Sequence, residues 1–376
     1  MTTQTQSPFP TKSQGLIMFF FDSHLDLAWN AIEWNRDLTL PSEEIRRVER
    51  DRGQSFKARG GNTVSLPDLR QGKVGIVVAT LLARVVQEQR SPSFCRYDHM
   101  EAAQAAAMGQ LAWYEAMERR GQFRWIRGKT DLETSIQEWS NPTVSPNAPI
   151  GMILSMEGAD PVLDPSELDM WFARGLRIIG PAHYGVSPYA HGTATPGGLF
   201  PKGPELLRSM EKLGIILDVT HLADQAFDEA MALYQGPVLA SHHNCRALVD
   251  DQRQLTDDQI RSLIGRGAVI GAAMDAWMLV PGWQRGQSTV ESTGVGLRHV
   301  ADHIDHICQL AGNVRHVGIG SDLDGGFGRE QSPGDLDTIA DLGKLSEILN
   351  QRGYSSTDRE AIAHGNWIRF FRQNLA

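Results

Sequence analysis

Eight short apolar runs, separated by segments with helical periodicity, form the most constraining pattern in this 376-residue sequence. Each run has the length of one strand and is apolar on both faces, as expected for parallel strands that are covered on both sides. The runs span residues 16–21, 75–82, 149–156, 176–179, 214–219, 237–240, 267–274 and 317–320. Eight alternations of strand and helix predict an α/β protein built as a closed (β/α)8 TIM barrel.

Helix-like segments with the amphipathic period of an α-helix lie between the apolar runs. They span residues 98–119, 165–174, 204–213, 223–234, 256–265, 296–311 and 335–351. A long polar connection covers 31–71, and 120–148 has the character of an insertion into the barrel. We therefore predict a single catalytic domain over 16–376, preceded by a flexible N-terminal segment at 1–15.

The composition excludes several classes of protein. A net charge of −9 gives no basic face for binding nucleic acid. The three cysteines cannot form a disulfide framework, and the absence of a CxxC pair argues against a thiolate zinc site. No apolar run approaches the roughly 18–20 residues of a membrane span, and the run at 16–21 is too short for a secretory signal. We expect a soluble, cytoplasmic protein that binds neither nucleic acid nor a membrane.

Acids or histidines end seven of the eight apolar runs. In a barrel, catalytic groups lie at the C-terminal ends of the strands, so this placement predicts a functional site there. His24 and Asp26 are spaced i, i+2 on a strand and therefore point to the same face. They can ligate one divalent cation, or form a hydrogen-bonded pair without a metal. Glu157 follows a buried run and needs a cationic partner, which is either a metal pair or an arginine from a neighbouring strand.

His221 and His242 end two successive strands and each can donate one nitrogen to a metal. Together with His24, Asp26 and Glu157 they supply five ligands, which is more than one catalytic zinc needs. Two ions about 3.5–4 Å apart, bridged by Glu157 and by a water, use the whole set. We therefore predict a binuclear metal site.

Three further residues at the strand ends are candidates for catalysis and substrate binding. Asp322 can accept a proton from the bridging water; Asp324, on the same face by spacing, is the rival, and the glycines after it favour Asp322. His183 can stabilise a developing oxyanion or bind metal, and Arg253 can clamp a substrate carboxylate; either can instead be structural.

The remaining histidines receive simpler interpretations. His299, His303 and His306 share one helical face with acids between them, which predicts a solvated surface rather than a helical metal site. We expect His243 to lie beside the active site rather than in it.

These residues, in this order, resemble the membrane (renal-type) dipeptidases, peptidase family M19. The resemblance rests on Asp22-Ser23-His24-Leu25-Asp26, Glu157-Gly158, His221, Ser241-His242, Arg253 and 320–325, and ends at Gly365-Asn366-Trp367. It implies a metal-dependent hydrolase barrel with two zinc ions per chain that hydrolyses dipeptides, including those with a C-terminal D-residue. It also implies that such an enzyme is commonly a homodimer.

The resemblance assigns a role to each site residue. It implies that His24 and Asp26 bind one zinc, that His221 and His242 bind the other, and that Glu157 bridges them. It implies that His183 polarises the substrate carbonyl, that Arg253 binds the substrate carboxylate, and that Asp322 is the proton shuttle. The chain departs from the family pattern at Ser23, Leu25 and His243, and it has Met274 and Asp275 where an aromatic often lies near the substrate, which leaves substrate preference open.

The leading hypothesis is therefore a zinc-dependent metallo-dipeptidase that acts through a bridging water. One alternative keeps the binuclear metal and changes the bond to an N-acyl-amino acid, a lactone or a phosphoester, because a barrel does not dictate its substrate. A second alternative is a non-catalytic barrel that only binds small molecules.

Overall fold

The computed structural model describes residues 18–54, 59–86 and 96–375, and the predicted flexible segment at 1–15 lies outside them. Eight parallel strands form the central sheet, and each overlaps one of the predicted apolar runs; the first strand begins at Phe20 and extends beyond its predicted run at 16–21. They are β1 (Phe20–Leu25), β2 (Val74–Leu82), β3 (Ile150–Glu157), β4 (Leu176–Gly180), β5 (Ile216–Asp218), β6 (Val238–Leu239), β7 (Ile270–Ala272) and β8 (Val317–Ile319).

The sheet closes into a barrel. Its strand order is β7-β8-β1-β2-β3-β4-β5-β6, so chain order and spatial order agree around the ring. The gap between β6 and β7 is closed just beyond β6, where Ala240 pairs in parallel with Ile270. There the Ala240 N–H donates to the Val269 carbonyl at 3.1 Å, and the Gly271 N–H donates to the Ala240 carbonyl at 2.8 Å. The predicted (β/α)8 barrel is confirmed.

Helices surround the sheet and fill the connections after the strands. The α-helices are α1 (Leu27–Glu33), α2 (Ser42–Asp51), α3 (Leu66–Gln71), α4 (Met100–Arg119), α5 (Lys129–Trp139), α6 (Leu168–Ala173), α7 (Gly203–Leu213), α8 (Asp224–Leu233), α9 (Asp257–Gly265), α10 (Ala276–Leu279), α11 (Val290–Thr293), α12 (Leu297–Ala311), α13 (Gly343–Gln351), α14 (Ser356–Glu360) and α15 (Asn366–Asn374). Short 3-10 helices cover Pro165–Glu167, Arg329–Gln331 and Ile339–Leu342, and a π-helical turn covers Ala361–Gly365. No helix in the part of the chain that the structure describes is long and apolar enough to cross a membrane.

The segment at 120–148 contains a ninth strand, Phe123–Trp125, followed by α5. This strand pairs in parallel with the first residues of β3, from Phe123 opposite Ile150 onward. The pairing of β4 with β3 starts only at Leu154, so the extra strand occupies the same edge of β3 below β4. The segment therefore extends the sheet on the side away from the strand ends.

The C-terminal helix α15 packs against the barrel through aromatic side chains. The Phe21 ring of β1 stacks on Phe371 with 5.3 Å between ring centroids, and Trp367 donates its indole N–H to the Ile319 carbonyl at 3.0 Å. A Cβ on Gly318 would overlap this indole, so β8 needs a glycine where Trp367 approaches it. The buried aromatic contacts hold β1 and β8 together beneath the strand ends.

The prediction of a solvated face for His299, His303 and His306 is wrong for His303. That side chain is fully buried, because it follows the apolar face of α12 together with Val300 and Ile307. Its Nδ1 accepts a hydrogen bond from the Cys245 N–H at 3.1 Å. The apolar residues of α12, rather than the spacing of the three histidines, determine which face of the helix is buried.

Candidate metal centre and active site

Four residues with ionisable side chains follow their strands at the same sequence offset. His183, His221, His242 and Asp322 each lie three residues beyond the last residue of β4, β5, β6 and β8. The carboxyl ends of parallel barrel strands point to one rim, so equal offsets bring these side chains to similar depth. His24 and Glu157 reach the same rim from β1 and β3.

The carboxylate of Glu157 lies at the centre of the histidines. Its Oε1 is 3.6 Å from Nε2 of His24, 3.2 Å from Nε2 of His221 and 3.3 Å from Nε2 of His242. Nε2 of His183 is 3.6 Å from the same oxygen. Four imidazoles therefore converge on one carboxylate oxygen in a buried pocket.

Two further carboxylates lie on the His24 side of this group. Asp26 Oδ1 is 3.9 Å and Asp322 Oδ1 is 3.7 Å from Nε2 of His24. The Thr80 hydroxyl donates a hydrogen bond to Asp26 and so orients that carboxylate. The structure thus brings together all five predicted metal ligands and Asp322.

Three overlapping triads of potential ligand atoms have the spacing of a metal site. They are His24–Asp26–Glu157, His24–His242–Asp322 and Glu157–His183–His221. The first matches one predicted half-site. The third contains His183 where the sequence predicted His242, although Nε2 of His242 lies only 3.1 Å from Nε2 of His221.

The electrostatics of this rim favour a bound cation. Burial, followed by the repulsion of Asp26 and Asp322, raises the pKa of Glu157 well above its ordinary range. Burial raises the pKa of Asp26 to about 6, and burial followed by the charge of Arg253 lowers the pKa of His24 to about 3. Without a cation, the negatively charged forms of Asp26 and Glu157 are therefore disfavoured. The His24 imidazole stays neutral, which is the form that binds a metal.

Two buried polar atoms support the same conclusion. Among the described residues, Nε2 of His24 and Oε2 of Glu157 have no hydrogen-bond partner. Buried polar atoms are rarely left unpaired, because desolvation costs about 1–3 kcal/mol for each. Nε2 of His24 faces the carboxylates of Asp26, Glu157 and Asp322, and nitrogen and oxygen donors of this kind are those that zinc accepts. The residues present therefore fit a divalent metal centre.

Neighbouring side chains fix which nitrogen of each imidazole faces the centre. Ser241 donates its hydroxyl to Asp218 Oδ2 at 2.5 Å, so its oxygen accepts from Nδ1–H of His242 at 2.9 Å. Thr193 donates to the His221 carbonyl at 3.3 Å and likewise accepts from His221 Nδ1 at 3.0 Å. Both imidazoles then present the lone pair of Nε2 to the centre.

Sequence reasoning assigned no role to Asp218 or Thr193. A signal for Asp218 existed, because an ionisable residue interrupts the apolar run at 214–219. Thr193 lies in a connection without strand or helix periodicity, and only the fold brings it to His221. Residues that orient metal ligands are recognised by contact rather than by local pattern.

His183 has a different environment from the other imidazoles. Its Nδ1 lies 2.9 Å from Nη1 of Arg84, a residue that the sequence pattern did not single out. Burial, with the nearby charges of Arg84 and Arg253, lowers the pKa of His183 well below its ordinary value. The side chain keeps 14% of its surface exposed, whereas that of His242 keeps 1%, so His183 is open to a ligand.

Arg253 is buried beside the imidazoles. Its Nη2 donates to the His242 carbonyl at 3.0 Å and lies 3.4 Å from Nε2 of His221. Its Nη1 has no hydrogen-bond partner within the described part of the chain. A buried guanidinium with a spare donor next to the centre can bind an anionic group.

Asp322 and Asp324 differ in how their carboxylates are used. Asp324 accepts hydrogen bonds from Asn62 Nδ2 (2.6 Å), the Thr63 N–H (2.8 Å) and hydroxyl (2.7 Å), and the Val64 N–H (3.0 Å). It thereby ties the loop after β8 to the long connection after β1. Asp322 instead faces His24, in a left-handed backbone conformation with φ of 58°.

Met274, Asp275 and His243, three positions where the chain departs from the family pattern, are all buried. Asp275 accepts a hydrogen bond from Gln331 Nε2 at 2.7 Å, and burial raises its pKa to about 6. His243 donates its backbone N–H to the Gly271 carbonyl at 2.7 Å. It lies next to His242 in the loop after β6.

The sequence profile of the membrane dipeptidases, peptidase family M19, matches residues 17–376. This chain belongs to that family. The family membership predicted from the motifs is confirmed, and with it the enzyme class of metallo-dipeptidase.

Named relatives support the assignment over part of the chain. Dipeptidase 3 of Mus musculus is 29% identical over 176 residues, which is 47% of this chain and 33% of the mouse protein. Dipeptidase tcpJ of Claviceps purpurea is 27% identical over 215 residues, 55% of this chain and 47% of the fungal protein. The matched segments span less than half the length of these two relatives.

Two solved structures share the fold over nearly the whole chain. One is a dipeptidase of family M19, with a TM-score of 0.74, 22% identity and coverage of 95% of this chain and 99% of the other. The other is a metallopeptidase from Rhodobacter sphaeroides liganded with a phosphinate mimic of the dipeptide L-Ala-D-Ala. It gives a TM-score of 0.75 at 22% identity and covers 96% of this chain and 99% of its own.

Proposed function

We propose that the protein hydrolyses dipeptides with two zinc ions per chain. The convergence of four histidine Nε2 atoms on one oxygen of Glu157, all within 3.6 Å, carries this proposal. One shared carboxylate oxygen surrounded by imidazoles suits a bridging ligand between two cations. Family membership supports the dipeptide as the substrate class.

Five residues would hold the zinc ions. His24 and Asp26 would hold one ion, His221 and His242 would hold the other, and Glu157 would contribute to both. Bound zinc supplies a water that ionises near neutral pH and a positive charge that polarises a carbonyl.

Three further side chains act on the substrate. His183, partly exposed and 3.6 Å from Glu157, donates a hydrogen bond to the oxygen of the scissile carbonyl. Arg253 binds the C-terminal carboxylate through its spare Nη1. Asp322 takes a proton from the attacking water and passes it to the leaving amine, because its carboxylate faces the centre and is not bound up as that of Asp324 is.

Dipeptides with a C-terminal D-residue belong in the proposed substrate range. The Rhodobacter sphaeroides structure, liganded with a mimic of L-Ala-D-Ala, supports this suggestion. The homodimer implied by the family resemblance and the cytoplasmic location expected from the sequence both stay predictions.

The test compares L-L and L-D dipeptides with N-acyl-amino acids, lactones and phosphoesters, using the zinc-loaded full chain with and without chelator. We expect about two zinc ions per chain by elemental analysis and chelator-sensitive hydrolysis of dipeptides. Glu157→Gln should lose both zinc and turnover, whereas the same substitution at the exposed Glu43 should lose neither. Turnover confined to the other bonds, or fewer than one zinc per chain after zinc is added, would refute the proposal.

A further inference from the structure

Arg84 lies at the rim just after β2, where Arg84–Val85 pairs in parallel with Arg96–Tyr97. Its side chain is 9% exposed and reaches across the rim to the loop after β4. There Nη1 lies 2.9 Å from Nδ1 of His183 and 3.4 Å from the Tyr184 carbonyl. This contact joins residues 99 positions apart in the sequence.

The hydrogen-bonding roles in this contact follow from chemistry alone. A guanidinium has only N–H donors and no acceptor, and it stays protonated in proteins. Nδ1 of His183 must therefore offer its lone pair, which means that it carries no proton. The imidazole is then neutral, and its single N–H is at Nε2.

This tautomer is the opposite of the one at the neighbouring imidazole. At His242, the Ser241 hydroxyl is committed to Asp218 and accepts from Nδ1–H, so Nε2 keeps a lone pair. At His183, Nε2 carries a hydrogen instead, and it lies 3.6 Å from Oε1 of Glu157. A nitrogen with a lone pair can ligate a metal, and one with a hydrogen can donate to a substrate oxygen.

We propose that Arg84 is a positioning residue that locks His183 as the Nε2–H tautomer and so makes it a hydrogen-bond donor rather than a metal ligand. The benefit for catalysis rests on the proposed function, in which the acceptor is the scissile carbonyl. The tautomer itself is a property of this chain that does not depend on the substrate.

A second contact holds Arg84 in place. The carboxylate of Asp160 accepts a hydrogen bond from the Val85 N–H at 2.8 Å. Asp160 follows Glu157 by three residues in the loop after β3, and its Oδ2 lies against Gly158 near the Cβ of His183. The loops after β2, β3 and β4 are therefore joined around His183, which fixes the direction from which the guanidinium approaches.

The experiment uses zinc-loaded full-length protein labelled with 15N-histidine. The 15N signals of His183, assigned by their loss in His183→Asn, distinguish a protonated Nε2 from a protonated Nδ1. We expect protonation at Nε2 in the wild type and in Arg84→Lys, because an ammonium group also only donates. In Arg84→Met we expect a measurable share of the Nδ1–H form.

Dipeptide hydrolysis by the same variants gives the functional readout. We expect kcat to fall roughly 10- to 100-fold in Arg84→Met, with a smaller change in KM, and to recover largely in Arg84→Lys. Arg177→Met is the matched control, because Arg177 is 8% exposed and, among the described residues, its guanidinium donates to the backbone carbonyls of Arg127, Phe172 and Leu176. It should leave both the His183 signals and kcat near wild type.

A proton on Nδ1 of His183 in the wild type would overturn the proposal, and so would an unchanged tautomer with full kcat in Arg84→Met. The wild-type spectrum decides the tautomer even where a variant fails to fold. A protein that hydrolyses no dipeptide but shows the Nε2–H signal would refute the proposed function and still support the tautomer assignment.

Discussion

Exchanging Asp324 for asparagine tests the division of labour between the two aspartates after β8. The Asp324 carboxylate accepts from four donors on 62–64, all of them buried with it. An amide has one oxygen, so the variant places an N–H2 group against two of these donors, either Asn62 and Val64 or the two groups of Thr63. The substitution changes charge and acceptor number but almost no volume.

The magnitude follows from the donors that lose their acceptor. Each costs about 1–3 kcal/mol when buried and unpaired, so Asp324→Asn should lower the free energy of unfolding by about 2–6 kcal/mol. With an unfolding entropy of about 2.1 cal/mol/K per residue over the 376-residue chain, this corresponds to a fall in Tm of about 3–8 °C. Asp228→Asn, the same change at an exposed site, should shift Tm by less than about 1 °C.

The assay is thermal unfolding followed by circular dichroism, at one zinc concentration for all variants because bound metal shifts Tm. Asp322→Asn is measured alongside, with turnover of a dipeptide recorded for each protein below its transition. We expect Asp324→Asn to lose stability and keep most of its turnover, and Asp322→Asn to keep its stability and bound zinc and lose turnover. The reverse pattern, or an unchanged Tm in Asp324→Asn, would refute the reasoning.

Two further substitutions test the packing under the site and the support of its imidazoles. Gly318→Ala should destabilise the protein by about 1–3 kcal/mol, because the added Cβ overlaps the indole of Trp367. The control is Gly109→Ala in the interior of α4, where a Cβ meets nothing within 4 Å; it should be neutral or stabilise the protein by up to about 1 kcal/mol. Equal melting temperatures for the two variants would contradict this prediction. Ser241→Ala removes the hydroxyl that accepts a hydrogen bond from the His242 imidazole, and it should weaken zinc binding roughly 10- to 100-fold. Competition with a chromogenic chelator measures the zinc affinity. An unchanged affinity would show that this hydrogen bond does not orient a metal ligand.

Local patterns along the chain predicted the barrel and the candidate residues at its rim. Strand-length apolar runs and helical periodicity are local patterns, and each of the eight runs overlaps a strand. Parallel strands must align their carboxyl ends at one rim, so residues such as His24, Glu157 and His242 could be grouped before their distances were known. Local periodicity and one rule of chain direction were enough for this step.

The environment of each group at the rim depends on contacts between segments that are distant in the sequence. Asp322 and Asp324 look alike in sequence, and they differ because Thr63, 261 positions away, occupies one carboxylate and not the other. Arg84 has no sequence signal for its role, because that role is defined by its contact with His183, 99 positions away. Hydrogen-bond direction and burial depend on contacts between distant segments, which the order of residues along the chain does not specify.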